Sequence, residues 1–176
     1  MRSVGLLATR SVLGGHLAVH GAQKLSGAFG GPGLDATVVG FEKLGMRPAR
    51  ATAVLAGVSE LGGGVLTATG IADPVGPLAI VGAMSVATAV HRRQGPMSQK
   101  GGFELPLTNL ALAIGLMSSG PGRLVFRPRL PKSLARLSFA AGAVVVGISL
   151  SQLLQGAPPV PARPVDDGEE NKPPSS

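Results

Sequence analysis

Long apolar runs alternate along this chain with short connections rich in glycine, proline and charged residues. Runs of about 20 apolar residues are long enough to cross a bilayer as helices. The predicted helices, including one short amphipathic helix in the first long connection, cover residues 4–25, 36–44, 48–71, 74–90, 103–119 and 134–154. The pattern therefore predicts an all-α fold, a membrane four-helix bundle followed by a fifth transmembrane helix.

Three regions follow from this pattern. Residues 1–123 form the four-helix transmembrane domain, and residues 124–156 form a basic link and the fifth transmembrane helix. Residues 157–176 are rich in proline, carry four acidic residues and have almost no apolar side chains to bury. A segment of that composition is expected to be a disordered tail.

The composition supports a membrane location. Charged residues make up 14% of the chain, whereas soluble domains carry about 25%, and 44% of the residues are hydrophobic. The 27 glycines fit closely packed membrane helices. We therefore expect a multi-pass protein of the plasma membrane whose main partner is the lipid bilayer, with homo-oligomerisation left open.

The net charge of +7 does not indicate nucleic-acid binding. The basic residues lie mainly in connections beside apolar runs, where they meet lipid headgroups. Aromatic residues make up only 3% of the chain, so stacking platforms for bases are lacking. Because the chain has no cysteine, any thiol chemistry belongs to a partner, and no serine lies in a nucleophile motif, so no catalytic residue is predicted.

Four ionisable side chains of the first predicted helix share one side: Arg10, His16, His20 and Lys24. At 100° per residue, Lys24 lies within about 40° of both Arg10 and His20. A polar stripe in a membrane helix costs several kcal/mol unless it faces protein or trapped water. The other helices are expected to supply its partners.

Two carboxylates are candidates for this role. Glu60 lies near the middle of the helix predicted at 48–71, and Glu104 lies in the first turn of the helix at 103–119. Since consecutive spans alternate in direction, Lys24, His20, His91 and Glu104 are expected in one leaflet. We predict that Arg10 pairs with Glu60 and that Lys24 pairs with Glu104.

The histidines favour a functional interpretation of these residues, because imidazoles titrate near neutral pH and suit a polar pocket or a proton path. The alternative is that the ion pairs only hold the helices together. A metal site is a further alternative, because His16 and His20 are spaced i, i+4 and Glu104 or His91 could complete the ligands, although the pair lacks a tighter motif. The predicted ligand or proton-relay residues are Arg10, His16, His20, Lys24, Glu60, His91 and Glu104.

An ordered series of motifs resembles the DoxX family of small bacterial membrane proteins. The series consists of Arg10, residues 20–25 (HGAQKL), 29–34 (FGGPGL), 60–63 (ELGG), Met84 with His91, 102–106 (GFELP) and 120–123 (GPGR). The resemblance implies a four-helix membrane bundle. It also implies a link to redox physiology, since relatives are associated with quinone-linked thiosulfate oxidation and with responses to oxidative and thiol stress.

The sequence favours an accessory subunit over an enzyme. The first hypothesis is a membrane redox subunit whose polar pocket holds a quinone-like ligand or relays protons, while a redox protein partner carries the redox centre. Quinone is the one cofactor this hypothesis names. The alternatives are a small proton-coupled transporter and a purely structural membrane scaffold.

Overall fold

The computed structural model describes residues 2–126 and, beyond them, Ser133, Ala140, Val146, Gly147 and Ser151. Within that part of the chain the secondary structure is entirely helical, which confirms the all-α prediction. Residues 2–126 contain five α-helices, namely α1 (Arg2–Ser26), α2 (Gly33–Lys43), α3 (Ala49–Thr69), α4 (Val75–His91) and α5 (Glu104–Ser119), and short 3-10 turns cover Ala28–Gly30, Arg92–Gln94 and Ser98–Lys100.

Proline and glycine set the helix boundaries close to their predicted positions. Pro48 is extended and immediately precedes α3, as expected of a residue that has no N–H for the helix ladder. Gly70 ends α3 in the left-handed conformation (φ 71°), and its N–H donates to the Leu66 carbonyl at 2.9 Å. This is a common glycine C-cap. Local sequence therefore accounts for where α3 begins and ends.

Close packing of glycines joins α1 to α3 in antiparallel register. Gly14 of α1 lies against Gly64 of α3, and Gly21 lies against Gly57 and Leu61. A methyl group built on Gly14, Gly21 or Gly64 would come within 3.0 Å of backbone atoms of the facing helix. The two backbones can approach this closely only because these positions have no side chain.

The helices pack in the order α1, α3, α4, α5, while α2 lies against α3 and α1. The buried core joins α1, α4 and α5, and consists of Leu13, Leu17, Ile80, Met84, Ala113 and Leu116. Contact between α1 and α5 is slight compared with the other neighbouring pairs.

Two of the described helical segments are long and apolar enough to cross a membrane, Ala49–Thr69 and Val75–Gln94. Of the residues in their most apolar windows, 33% and 22% are buried. α1 has 25 residues but carries the polar stripe, and α5 has 16 residues, fewer than a typical span needs. The structure thus supports two spans of the predicted four.

The remaining sequence predictions fall on residues that are mostly outside the described part. Of the predicted fifth transmembrane helix, Ala140, Val146, Gly147 and Ser151 are described and are helical. The predicted disordered tail lies wholly outside the described residues.

The glycine contact between α1 and α3 gives a matched test in two neighbouring residues. Gly64→Ala should lower the free energy of unfolding by about 1–3 kcal/mol, because the new methyl group meets the Ala18 backbone and forces the helices apart. Gly62 has open space around its Cα, so Gly62→Ala should be neutral or stabilising by up to about 1 kcal/mol. Thermal unfolding in detergent measures both; equal effects would contradict the close packing.

Candidate functional site

Arg10 does not meet Glu60, so that predicted pair is wrong. Its side chain is 3% exposed, and its guanidinium donates to three carbonyl oxygens, those of Ala68 (3.3 Å), Pro121 and Leu124. The antiparallel register places Arg10 at the C-terminal end of α3, about 12 Å along the helix from Glu60. Carbonyls at a helix end lack helical partners and carry partial negative charge, so they suit a buried guanidinium.

Glu60 instead pairs with Lys24, which also corrects the predicted pairing of Lys24 with Glu104. The Lys24 ammonium donates to Glu60 Oε2, Glu60 is 5% exposed, and the Lys24 side chain is 26% exposed. Gly21 packs on Gly57 and Leu61, so the next turn of α1 brings Lys24 opposite Glu60. The glycine contacts set this pairing.

Glu104 organises the loop that precedes α5. Its Oε1 accepts a hydrogen bond of 2.7 Å from the backbone N–H of Ser98. Hydrogen bonding from Ser98 lowers the pKa of the Glu104 carboxyl, because the charged form is the better acceptor. The carboxylate therefore holds the 3-10 turn Ser98–Lys100 against the start of α5.

Acidification should loosen this loop. A group with a lowered pKa in the folded state stabilises the fold above its ordinary pKa and loses that contribution as pH falls through the lowered value. The Ser98 amide should therefore exchange its hydrogen faster relative to neighbouring amides below about pH 4.5, the ordinary value for Glu104. In Glu104→Gln the exchange rate of the Ser98 amide relative to its neighbours should not depend on pH in this way. A pH dependence like that of the wild type would show that the Glu104 carboxylate does not hold the loop.

The three histidines differ in their surroundings. The His16 and His20 rings lie 4.8 Å apart between centroids, tilted by 58°. Nδ1 of His91 lies 2.8 Å from the Gly101 carbonyl oxygen. Because a carbonyl only accepts, His91 Nδ1 carries the hydrogen, and Nε2 is left as an acceptor in the neutral ring. The His91 contact also ties the end of α4 to the loop before α5.

Five of the seven predicted site residues line one cavity of about 270 Å³. We call it the histidine cavity. It lies between α1, α4, α5 and the loop before α5, and it is lined by His16, His20, Lys24, Glu60 and His91 together with Asn109 and others. Arg10 and Glu104 are not among its lining residues. The structure therefore brings five predicted residues together and separates two from them.

A second cavity, of about 350 Å³, was not predicted from the sequence. We call it the apolar cavity. It lies between α2, α3 and α4, and its walls include Phe41, Leu55, Leu78, Val86, Val90 and Val146. Phe41 lies on α2, within the short helix that the sequence predicted at residues 36–44. The sequence places small residues on α3 and α4. Whether such residues leave a cavity depends on the angle and the separation of the two helices, which the sequence does not give.

The Lys24–Glu60 pair belongs to the walls of both cavities, as do Ala87 and His91. The pair thus separates a cavity with mainly apolar walls from a cavity whose walls are rich in histidine. Among the described residues, no group of three histidine, aspartate or glutamate side chains is placed to hold a metal ion. The arrangement thus offers hydrogen-bond donors and titratable groups at a boundary between two cavities.

The sequence model of the DoxX family matches residues 5–93, just over half of the chain. The matched part contains Arg10, Lys24, Glu60 and His91, whereas Glu104 and α5 lie beyond it. No curated protein and no solved structure matches the chain. DoxX proteins are membrane-associated, in agreement with the two helical segments that are long and apolar enough to cross a membrane. The chain therefore belongs to the DoxX family.

Proposed function

We propose that this protein is a non-catalytic accessory subunit of a membrane redox system and that its apolar cavity binds a quinone-like ligand. The observation that carries the proposal is the position of the Lys24–Glu60 pair in the wall of that cavity. The ammonium is a donor for a quinone carbonyl, and the carboxylate is a site for a proton. A redox partner would carry out the electron transfer.

The size and lining of the apolar cavity support this ligand class. Its volume of about 350 Å³ falls within the range of about 300–1,000 Å³ typical of small-molecule sites. Only 5 of its 19 lining residues are polar or charged: Lys24, Thr52, Ser59, Glu60 and His91. A ligand with one polar end and a hydrocarbon tail matches such a lining, because few polar groups fix its orientation and the rest accept the tail.

Ligand binding is tested with decylbenzoquinone and the purified protein in detergent. Lys24→Met should weaken binding by at least about tenfold, a loss of roughly 1.4 kcal/mol, through removal of the donor. Arg50→Met removes an exposed cation of α3 that lines neither cavity and should leave the dissociation constant unchanged. Equal affinity of wild type and Lys24→Met would exclude the proposed binding mode.

The accessory role is tested separately. Gentle solubilisation of the membrane followed by a pull-down and mass spectrometry should recover a redox protein with this chain. If the purified chain alone transfers electrons from a donor to the quinone, it is an enzyme and not an accessory subunit. If no redox protein co-purifies, the proposed partnership fails.

A proton-coupled transporter is the second candidate, supported by the residues that the two cavities share. Lys24, Glu60 and His91 line both, so a solute site and a proton-exchanging site would use the same groups. Alternating access with so few spans would require oligomerisation. Solute flux into liposomes that depends on pH and is abolished in Glu60→Gln would favour transport over the redox role.

A structural scaffold makes the opposite prediction for the same residues. If Glu60→Gln and His20→Ala change only thermal stability in detergent and leave cellular sensitivity to oxidants unchanged, the pair and the histidines serve packing alone. Loss of oxidant resistance in variants of normal stability would exclude the scaffold.

A further inference from the structure

The packing of α1, α3 and α4 provides a scale of depth for the histidine cavity. Glu60 lies near the midpoint of the candidate span Ala49–Thr69. Because α4 runs antiparallel to α3, with Gly76 packed on Thr67, the end of α4 at His91 lies on the same side as Ala49. The loop between α4 and α5 therefore marks one membrane face, which we call the loop face.

The histidine cavity extends from the loop face to the depth of Glu60. Its outer end is lined by Ser98, Gly101 and Gly102 of the loop, and its inner end by His16, Leu17 and Glu60. Ala49 and Glu60 are about 16 Å apart along α3, at about 1.5 Å per helical residue. The cavity thus reaches roughly half-way along a membrane-spanning helix.

The inner end of the cavity meets the buried core. Leu17 and Met84 line the cavity and also belong to the core, in which they pack with Leu13, Ile80 and Leu116. Each of these five side chains is at most 4% exposed. Side chains packed this closely leave no room for a chain of water molecules among them.

The lining of the histidine cavity has a larger share of polar residues than that of the apolar cavity. Of its 14 lining residues, 7 are polar or titratable, compared with 5 of 19 in the apolar cavity. Charged and titratable groups at membrane depth normally face other protein or a water-filled cavity.

We propose that the histidine cavity is a water-filled vestibule open at the loop face alone, so that Glu60 exchanges protons with that side of the membrane and not with the other. Lys24 and His16 of α1 interact electrostatically with Glu60, and His20 of α1 and His91 of α4 line the same cavity. The titratable residues of α2 line neither cavity. The role of Glu60 in proton transfer rests on the proposed function. The water-filled path to Glu60 does not depend on quinone binding.

The absence of cysteine from the chain allows a direct test by labelling single cysteines in proteoliposomes. The reagent is a charged, membrane-impermeant methanethiosulfonate, which reacts with a thiolate in water and not with a thiol in lipid. Asn109→Cys and His20→Cys report on the vestibule. Lys100→Cys, in the exposed turn before α5, identifies the loop face.

Two matched controls complete the set. Val58 is 53% exposed on α3 near the depth of Glu60 but lines neither cavity, so Val58→Cys should face lipid. Leu13→Cys lies in the core beyond the vestibule. The expected result is that His20→Cys and Asn109→Cys react more than about tenfold faster than both controls, and only from the side that labels Lys100→Cys.

Three outcomes would overturn the proposal: labelling of both vestibule positions at the slow rate of Val58→Cys, labelling from both sides, or labelling only from the side opposite Lys100→Cys. Asn109→Cys remains informative if His20→Cys folds poorly. Failure of quinone binding with one-sided labelling intact would reject the proposed ligand and leave the vestibule standing. Quinone binding without labelling would reject the vestibule alone.

Discussion

Arg10→Met is expected to lower the free energy of unfolding by about 3–5 kcal/mol. The substitution removes hydrogen bonds to the carbonyls of Ala68, Pro121 and Leu124 and leaves these acceptors with one partner fewer in a buried place. It also disconnects α1 from both the end of α3 and the turn after α5. The loss is therefore larger than that of any single hydrogen bond.

Arg10→Lys should fall between wild type and Arg10→Met, because an ammonium keeps the charge but lacks the planar fork that reaches several carbonyls at once. Arg92→Met is the matched control, since Arg92 is exposed at the end of α4 and its replacement should change stability by less than about 0.5 kcal/mol. Denaturant titration in detergent compares the three. Equal losses for Arg10→Met and Arg92→Met would show that Arg10 has no special structural role.

Breaking the Lys24–Glu60 pair from either side should also be strongly destabilising. Removing one partner of a buried ion pair costs about 3–5 kcal/mol, whereas replacing both with apolar residues of similar size is often neutral. Lys24→Met should lower the free energy of unfolding more than Glu60→Leu. The first substitution leaves the Glu60 carboxylate, which is 5% exposed, without its partner, whereas the second leaves the Lys24 ammonium, whose side chain is 26% exposed and can be solvated by water. The double variant should recover most of the loss.

An exposed ion pair elsewhere in the chain gives the reference value. Arg50 and Asp35 lie 3.2 Å apart, with side chains 69% and 94% exposed, so Asp35→Asn should cost no more than about 1 kcal/mol. Thermal unfolding of the single and double variants gives the coupling energy. If the losses in Lys24→Met and Glu60→Leu simply add in the double variant, the two side chains do not interact in the folded protein.

The double variant distinguishes the effect of the Lys24–Glu60 pair on stability from its effect on ligand binding. Lys24→Met combined with Glu60→Leu should fold with nearly wild-type stability while lacking both the donor and the carboxylate of the proposed ligand site. A stable protein that no longer binds quinone would support the functional role of the pair, and a stable protein that retains quinone affinity would assign the pair to packing.

The helices themselves follow from local sequence. Proline and glycine at the boundaries and continuous apolar runs place α3, α4 and α5 within two residues of their predicted ends, since these features act over a single turn. The side of α1 on which Arg10, His16, His20 and Lys24 lie also follows from the sequence, because the helical repeat alone sets the angle between residues. The resemblance to the DoxX family rested on an ordered series of short motifs, and the family match over residues 5–93 confirms it.

Register and cavities required the tertiary structure. The helical repeat determines which side of α1 is polar, but it does not determine the axial register of α1 against α3. The predicted pairs were wrong for that reason. The contacts of Gly14 and Gly21 with α3 set this register, and the register places Lys24, not Arg10, beside Glu60. The apolar cavity depends on the angle and separation of three helices, which are set by many contacts distant in sequence and not by any local pattern.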